Sequence, residues 1–258
     1  MPEPIILKHN DWKSLLRAFK VNRKFSFITT APAPEQKLVL AAPLAISTFI
    51  LRFTPQLCNL EKINILVIGA EWFDALDNGR WYQLISDFCD SSFKVEATLV
   101  GPDFFEEIAR QTKMGPMVSA RYPEAVIVES SLVDANIDLS SFDLFVFFHP
   151  GIERHHSEWM KDDLPLIAKT GKPIMATAYH RDEYAIEVKY LEAYGYSVEG
   201  EPLETQFFLQ LHGDINDVSQ WGHVLYKITP VLPPLDHIVD TVALDNLKRD
   251  GRKIRGNY

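Results

Sequence analysis

From residue 63 onward, short apolar runs alternate with stretches in which apolar residues recur every three or four positions. Runs at 63–69, 95–100, 125–128, 142–148 and 173–177 predict five buried strands, and the first, INILVIG, is apolar on both faces. The stretches between them predict amphipathic helices. Strands that alternate with helices are typical of a parallel sheet. The pattern therefore predicts an α/β fold, Rossmann-like and doubly wound, with a mainly parallel sheet and helices on both faces.

Helix boundaries follow from capping residues and chain breakers. The predicted helices are 79–89 with Trp81 in the core, 104–112 capped by Asp103, 157–169 interrupted at Pro165, and 183–194 capped by Asp182 and ended by Gly195. Beyond residue 197 the pattern weakens. We predict one more strand at 207–211 and irregular wrapping after it.

Residues 1–60 show a mixed pattern that predicts an N-terminal α+β extension. A helix at 11–19, capped by Asn10 or Asp11, is followed by a hairpin of strands at 25–30 and 37–41. Pro43 then begins a helix that runs to Phe53, because a proline in the first turn loses no helical hydrogen bond. We expect residues 1–60 to pack on a Rossmann-like domain at 61–258, as one unit overall.

Composition and charge narrow the class of protein. The net charge of −9 disfavours nucleic acid and anionic membranes as partners. The start of the chain lacks the pattern of a secretory signal, which predicts a cytoplasmic location. Cys58 and Cys89 form no C-x-x-C pair, so we predict small buried hydrophobes and neither a disulfide framework nor a thiolate metal site.

Candidate chemistry lies where the predicted strands end. Doubly wound sheets bind ligands beyond the carboxyl ends of strands, where the winding direction reverses, and we expect the loops after the first and fourth strands to face each other there. The candidate ligand-binding residues are Gly69, Glu71, Asp77, Asn78, Gly79, His149 and Gly151. The candidate catalytic residues are Glu71, Asp74, His149 and His180, because carboxylate and imidazole groups exchange protons near neutral pH.

Standard cofactor and nucleophile motifs are missing from the sequence. After the first strand, Gly69 and Gly79 are ten residues apart with Trp72 and Phe73 between them, whereas phosphate-binding loops need closely spaced glycines. There is no Walker loop and no G-x-S-x-G nucleophile elbow. We therefore predict no cofactor, and a standard nucleotide or methyl-donor site is disfavoured.

Two further groups of residues are weak candidates. The adjacent His155 and His156 lack the spacing of a metal pair, so we predict no metal site and interpret both as surface loop residues. The aromatic residues Trp72, Phe73, Trp81 and Tyr82 form a candidate recognition surface, since Trp and Tyr anchor interfaces, although the helical spacing of Trp81 favours a place in the core.

Several segments of the sequence resemble a known family. ILVIGAEWFDALDNGRWYQL, the VGP turn at Val100–Pro102, FDLFVFFHPGI and PIMATAYHRDEYAIEVKYLEAYG are similar to the C-terminal domain of mitochondrial splicing suppressor proteins over roughly residues 60–210. The matching positions are Gly69, Glu71, Gly101, Pro102, Pro150, Gly151, Thr177 and Asp182. Where that family tends to have Asn-Pro-Gly, this chain has His149-Pro150-Gly151.

The resemblance implies a methyltransferase-like sheet without a recognised cofactor motif, in a family with no assigned reaction. Eukaryotic members often carry a MYND zinc finger before this domain, and this chain, with two cysteines, has none. The mitochondrial role tied to that finger is therefore not carried over.

Two hypotheses follow. The first is a non-catalytic or regulatory module that binds a protein partner. The alternative is an enzyme with a remodelled, degenerate methyltransferase-like site, in which Glu71 or Asp74 acts as base and His149 or His180 as acid. A small-molecule ligand is compatible with both.

Overall fold

The apolar runs form neighbouring strands in the computed structural model of the chain. The structure describes residues 4–9, 11–23, 25, 33–71, 74–101, 122–152, 155, 159–205, 209–210, 220–221 and 224–231. The strands are β1 (Lys62–Ile68), β2 (Lys94–Gly101), β3 (Val126–Glu129), β4 (Leu144–Phe147), β5 (Ile174–Ala178), β6 (Tyr196–Val198), β7 (Leu203–Glu204), β8 (Leu209–Gln210), β9 (Gln220–Trp221) and β10 (Val224–Pro230).

The strand order is that of a doubly wound sheet. Within the described residues, the main sheet has the order β3-β2-β1-β4-β5-β10-β6, with β7 paired to β10, while β8 and β9 pair separately. The five strands β1 to β5 are parallel to one another. The chain winds outward from β1 to β3, returns to β4 beside β1 and continues in the other direction. This confirms the predicted Rossmann-like fold and places the reversal between β1 and β4.

Alternate residues of the central strands enter two hydrophobic cores, one on each face of the sheet. In β1, Ile65 and Val67 belong to the first core and Leu66 and Ile68 to the second. All four are buried, which is why this strand is apolar without interruption from Ile65 to Ile68.

Of the helices in the described part of the chain, three have ten or more residues and three have only four or five. They are α1 (Ile5–Lys8), α2 (Trp12–Val21), α3 (Ala33–Phe53), α4 (Leu84–Phe88), α5 (Leu164–Ala168) and α6 (Arg181–Ala193), with 3-10 turns at Pro55–Asn59, Leu76–Gln83 and Leu139–Ser141 and a π-helical turn at Trp159–Asp163. Helices α2, α3 and α4 contribute to the first core, and α5 and α6 to the second. No helix in the described part of the chain has the length and apolar character needed to cross a bilayer.

The N-terminal segment differs from the prediction after its first helix. Helix α2 is confirmed, and Asp11 caps it by accepting a hydrogen bond from the Ser14 amide at 2.8 Å. The strand predicted at 37–41 is wrong, and so is the start at Pro43, because both lie inside α3. Residues 39–50 are all buried, and a run buried on every side has no periodicity that separates strand from helix. Residues 26–32 of the predicted hairpin lie outside the described residues.

The irregular wrapping predicted near the C-terminus is also wrong in part. β10 is a full strand of the main sheet, antiparallel to β5 and β6. Lys227 interrupts its apolar pattern, and the Lys227 ammonium pairs with the Glu199 carboxylate at 2.6 Å.

Three other predicted helices can be compared. The segment at 79–89 is a 3-10 turn followed by α4, with Trp81 buried as predicted. Tyr82 is also buried, at 1% exposure, so its place on a recognition surface is wrong. The break near Pro165 is confirmed by the start of α5 at Leu164. The cap at Asp182 is wrong, since His180 caps α6. The helix at 104–112 and its cap Asp103 lie outside the described residues.

Candidate functional site

The loops after β1 and β4 leave the sheet at the same edge. Ile68 is paired with Phe147 in the last register of the two parallel strands, so Gly69 and Phe148 continue side by side. Gly69 has φ +66° and His149 has φ +49°, and both angles lie in the left-handed region. The backbone therefore turns sharply just after each of the two strands. The loops that begin at these residues are therefore the two between which the sequence analysis predicts a ligand site.

Asp74 is the buried carboxyl of the first loop. Its side chain is 5% exposed, and Oδ2 accepts a hydrogen bond from the Glu71 amide at 2.9 Å. Among the described residues, Oδ1 has no hydrogen-bond partner. Burial raises the pKa of Asp74 to about 8, with a smaller contribution from the Glu71 charge. Asp74 is therefore mainly a neutral acid at pH 7, whereas the Glu71 side chain is exposed.

Tyr82 is the polar neighbour of Asp74. Burial raises the pKa of the Tyr82 hydroxyl well above its usual value, and the Asp74 charge raises it further. Within the described part of the chain, that hydroxyl makes no hydrogen bond. Asp74 Oδ1 and Tyr82 Oη are thus two buried oxygens without hydrogen bonds, and the two side chains are close enough for the Asp74 charge to act on the Tyr82 hydroxyl. Buried polar atoms without a hydrogen-bond partner are rare in folded proteins, because leaving them unpaired costs free energy.

Trp159 covers the backbone of Gly69. A Cβ atom added at Gly69 would lie 3.1 Å from Cη2 of the indole. The indole Nε1 donates a hydrogen bond to the Pro150 carbonyl at 2.6 Å, and the ring packs edge-on against Phe147 with centroids 5.2 Å apart. The side chain therefore occupies the position from which a ligand would approach the glycine at the end of β1.

His149 is held by two contacts to the end of β5. Its amide donates to the Thr177 hydroxyl at 3.0 Å, and its ring stacks on Tyr179 with centroids 3.8 Å apart. Burial lowers the pKa of His149 to about 3. The imidazole is therefore neutral at pH 7 and cannot serve as a cationic acid.

Glu187 holds Ile152 in the loop after β4. Its side chain on α6 is fully buried. Oε1 accepts a hydrogen bond from the Ile152 amide at 3.1 Å, and Oε2 accepts one from the Tyr226 hydroxyl at 2.6 Å. Nearby, the His155 amide donates to the Gly151 carbonyl at 3.0 Å. These contacts hold Gly151 close to the edge where β4 ends.

His180 has a structural role at the start of α6. Its Nδ1 accepts a hydrogen bond from the Glu183 amide at 3.1 Å. The Glu183 carboxylate in turn accepts a hydrogen bond from the Tyr179 amide at 2.5 Å. The arrangement resembles a capping box, with histidine as the cap and with the glutamate bound to the amide of the residue before the cap.

Asp77, Asn78 and Gly79 hold the loop against the segment before β3. All three have left-handed φ angles between +54° and +67°. The Asn78 carbonyl accepts a hydrogen bond from the Ala125 amide at 2.9 Å, and its side-chain amide donates to the Glu124 carboxylate at 3.2 Å. Arg80 completes the contact with ion pairs to Asp77 and Glu124. These ligand-binding candidates are therefore engaged with the protein itself.

No group of three or more histidine, cysteine or acidic side chains within the described ranges could hold a metal ion. His155 is exposed in the loop after β4. Its neighbour His156 lies outside the described residues, as do Trp72 and Phe73.

The structure thus brings Gly69, Asp74, His149 and Gly151 to the loops of one sheet edge, while it assigns His180 to a helix cap. The sequence analysis did not single out Trp159 or Tyr179 for the site. Both residues reach the site through contacts between segments that are distant in sequence. The only signal in the sequence was that each is an aromatic residue after a predicted strand. Thr177 was named through the family resemblance alone.

No family model matches the sequence. No curated protein matches it either. The resemblance of residues 60–210 to the splicing suppressor family stays a prediction.

Several solved structures share part of the architecture. A provisionally assigned methyltransferase of Thermoplasma acidophilum is 14% identical, with 65% of this chain and 66% of that chain covered and a TM-score of 0.36. Precorrin-6y C5,15-methyltransferase of Geobacter metallireducens is 15% identical over 71% of this chain and 83% of that chain, with a TM-score of 0.37. The plantazolicin methyltransferase BpumL, solved with SAH, is 11% identical over 87% of this chain and 97% of that chain, with a TM-score of 0.37.

This chain spans about two thirds of the length of the Thermoplasma protein. Likenesses at these TM-scores carry no argument about activity. The assignment of a Rossmann-like sheet rests on its strand order and on the direction of its strands.

Proposed function

We propose that the protein is an enzyme that binds a small molecule between the loops after β1 and β4, with Asp74 as its proton donor. The observation that carries the proposal is a carboxyl that is 5% exposed, has a pKa of about 8 and lies at the edge where doubly wound sheets bind ligands.

A carboxylic acid that stays protonated at pH 7 can donate a hydrogen bond or a proton to a ligand oxygen or nitrogen. The protonation states therefore favour Asp74 as the acid, the reverse of the role first assigned to it. The neutral His149, held by Thr177 and Tyr179, contributes by hydrogen bonding. The ligand class that fits is one with a carbonyl, carboxylate or phosphate oxygen directed at Asp74.

The proposal is tested with a panel of candidate ligands. One form that such a site can take is a remodelled methyltransferase-like site, so the panel contains S-adenosylmethionine and its demethylated product, together with NAD and ATP. Thermal unfolding is measured for the wild type and for Asp74→Asn. A ligand present at a hundredfold excess over its Kd adds about 2.7 kcal/mol of stability. We expect an upward shift in Tm for the wild type that is reduced in Asp74→Asn.

Asp162→Asn is the matched control, because Asp162 is exposed and the substitution makes the same replacement of a carboxyl by an amide. It should bind like the wild type. If no compound raises the Tm of the wild type, or if Asp74→Asn responds equally to a compound that does, the proposal is refuted.

A second candidate function is a non-catalytic module that binds a protein partner, and the position of Trp159 favours it. The indole lies over Gly69, where a cofactor would approach the backbone. If none of the compounds in the ligand panel raises the Tm of the wild type or of Trp159→Ala, that result would support this function. A shift that appears only in Trp159→Ala would mean that the indole closes a functional site. The net charge of −9 supports the further proposal that neither nucleic acid nor a membrane is the partner.

A further inference from the structure

The two cysteines lie in neighbouring segments, one just before β1 and the other just before β2. Cys58 lies in the 3-10 turn Pro55–Asn59, and Cys89 directly follows α4. The Ser91 hydroxyl donates a hydrogen bond to the Cys58 carbonyl at 3.1 Å, and the Lys94 amide donates to the Glu61 carbonyl at 2.9 Å. The two segments therefore run side by side, which brings the Cys58 and Cys89 thiols close enough to affect each other's ionisation.

The two thiols differ in their access to solvent. Cys89 is 5% exposed, and its sulfur lies 3.9 Å from the Ser47 carbonyl of α3, to which it can donate. Cys58 is only partly buried. A small reagent can therefore reach the sulfur of Cys58 more readily than that of Cys89.

Their ionisation differs in the same direction. The hydrogen bond from Cys89 lowers the pKa of Cys58 to about 7, while the same interaction and burial raise the pKa of Cys89. A substantial fraction of Cys58 is thiolate at neutral pH, and the thiolate is the nucleophilic form. Cys89 stays a thiol beside it.

We propose that Cys58 and Cys89 form a peroxide-reactive pair, in which Cys58 is oxidised first and Cys89 then closes an intramolecular disulfide. The Cys58 thiolate attacks one oxygen of hydrogen peroxide, the O–O bond breaks, and sulfenic acid and hydroxide form. The Cys89 sulfur then attacks the Cys58 sulfur, the S–O bond breaks, and the departing hydroxide takes the Cys89 proton as water. In total, two thiols lose two electrons and two protons, and one peroxide becomes two waters.

The disulfide would connect the segment before β1 to the end of α4, which restricts the unfolded chain. We expect an upward shift in Tm of roughly 5 °C or more on oxidation, reversed by dithiothreitol.

The test uses the full chain. The reduced protein is treated with a small excess of hydrogen peroxide, quenched with catalase, denatured and alkylated. The expected intact mass is lower by two hydrogens with no alkylation, and a non-reducing peptide map should contain a peptide pair joined through Cys58 and Cys89. A wild type that keeps both thiols, accumulates sulfinic acid at Cys58 beside a free Cys89, or forms disulfide-linked dimers would overturn the proposal.

Two variants separate the roles of the cysteines. In Cys89→Ala the sulfenic acid at Cys58 has no resolving thiol, so dimedone should label Cys58. In Cys58→Ala the buried Cys89 should resist the same peroxide dose. Equal peroxide reactivity of the two variants would contradict the assigned order. Far-UV circular dichroism checks that each variant folds, and the wild-type mass measurement decides the proposal without them.

Discussion

Replacing Asp74 by asparagine should change how stability depends on pH. The carboxyl has a pKa of about 8 in the folded chain and an ordinary value of 3.8. Because the folded state holds the proton more tightly, the contribution of Asp74 to stability is fully present below pH 4 and is lost as pH rises toward 8. Asp74→Asn cannot ionise, so it should not show this loss.

The size of the effect follows from the shift. Between the two pKa values the wild type should lose about 1.4 kcal/mol per pH unit relative to Asp74→Asn. Between pH 5 and pH 8, the free energy of unfolding of Asp74→Asn should therefore rise by roughly 4 kcal/mol relative to that of the wild type. Total stability of a domain is about 5 to 15 kcal/mol, so this change is readily measured.

Urea denaturation followed by tryptophan fluorescence at pH 5, 6, 7 and 8 gives the required free energies. The control Asp162→Asn makes the same replacement at an exposed position, where the burial that acts on Asp74 is absent, and should not reproduce the gain of Asp74→Asn. An Asp74→Asn difference that is constant across this range, or that shrinks as pH rises, would refute a buried and protonated Asp74.

Two other substitutions test the packing around the site. Glu187→Ala removes the acceptor of the Ile152 amide and the Tyr226 hydroxyl, so it should lower the free energy of unfolding by about 3 to 5 kcal/mol, and Tyr226→Phe by about 1 kcal/mol; equal losses in urea denaturation would contradict this. Gly79→Ala should be more destabilising than Gly171→Ala, because both glycines have left-handed φ but only at Gly79 would the new Cβ meet Ala125 at 2.6 Å. Similar Tm values for the two alanine variants would contradict that close approach.

The central strands were predictable because burial on both faces requires an uninterrupted apolar run. The five runs that begin at 63, 95, 125, 142 and 173 each overlap one parallel strand, and the order of these strands follows from winding rules for such sheets. By contrast, β10 joins the sheet in the antiparallel direction and carries Lys227, so its pattern lacks the apolar continuity that marked the others.

The first half of helix α3, before Pro43, was missed for a different reason. The 21 residues of the helix include Pro43 and a long buried segment, and neither feature favours one continuous helix. The Ser47 and Thr48 hydroxyls donate hydrogen bonds to the carbonyls of Pro43 and Leu44, both at 2.7 Å. These bonds satisfy the two polar side chains inside the core.

For the site, the sequence predicted the edge and named Asp74 and His149, but not their protonation. Burial sets the pKa of both groups, and burial depends on tertiary packing. The same holds for Trp159 over Gly69 and for the meeting of Cys58 with Cys89, since these contacts join segments that the local pattern treats separately.

The most direct test is a ¹³C NMR titration of the Asp74 carboxyl, with the resonance assigned by its absence in Asp74→Asn. A protonated acid at the carboxyl end of β1 predicts a titration midpoint near pH 8, in line with the pKa of about 8. A midpoint near the ordinary value of 3.8 would contradict the proposed proton donor.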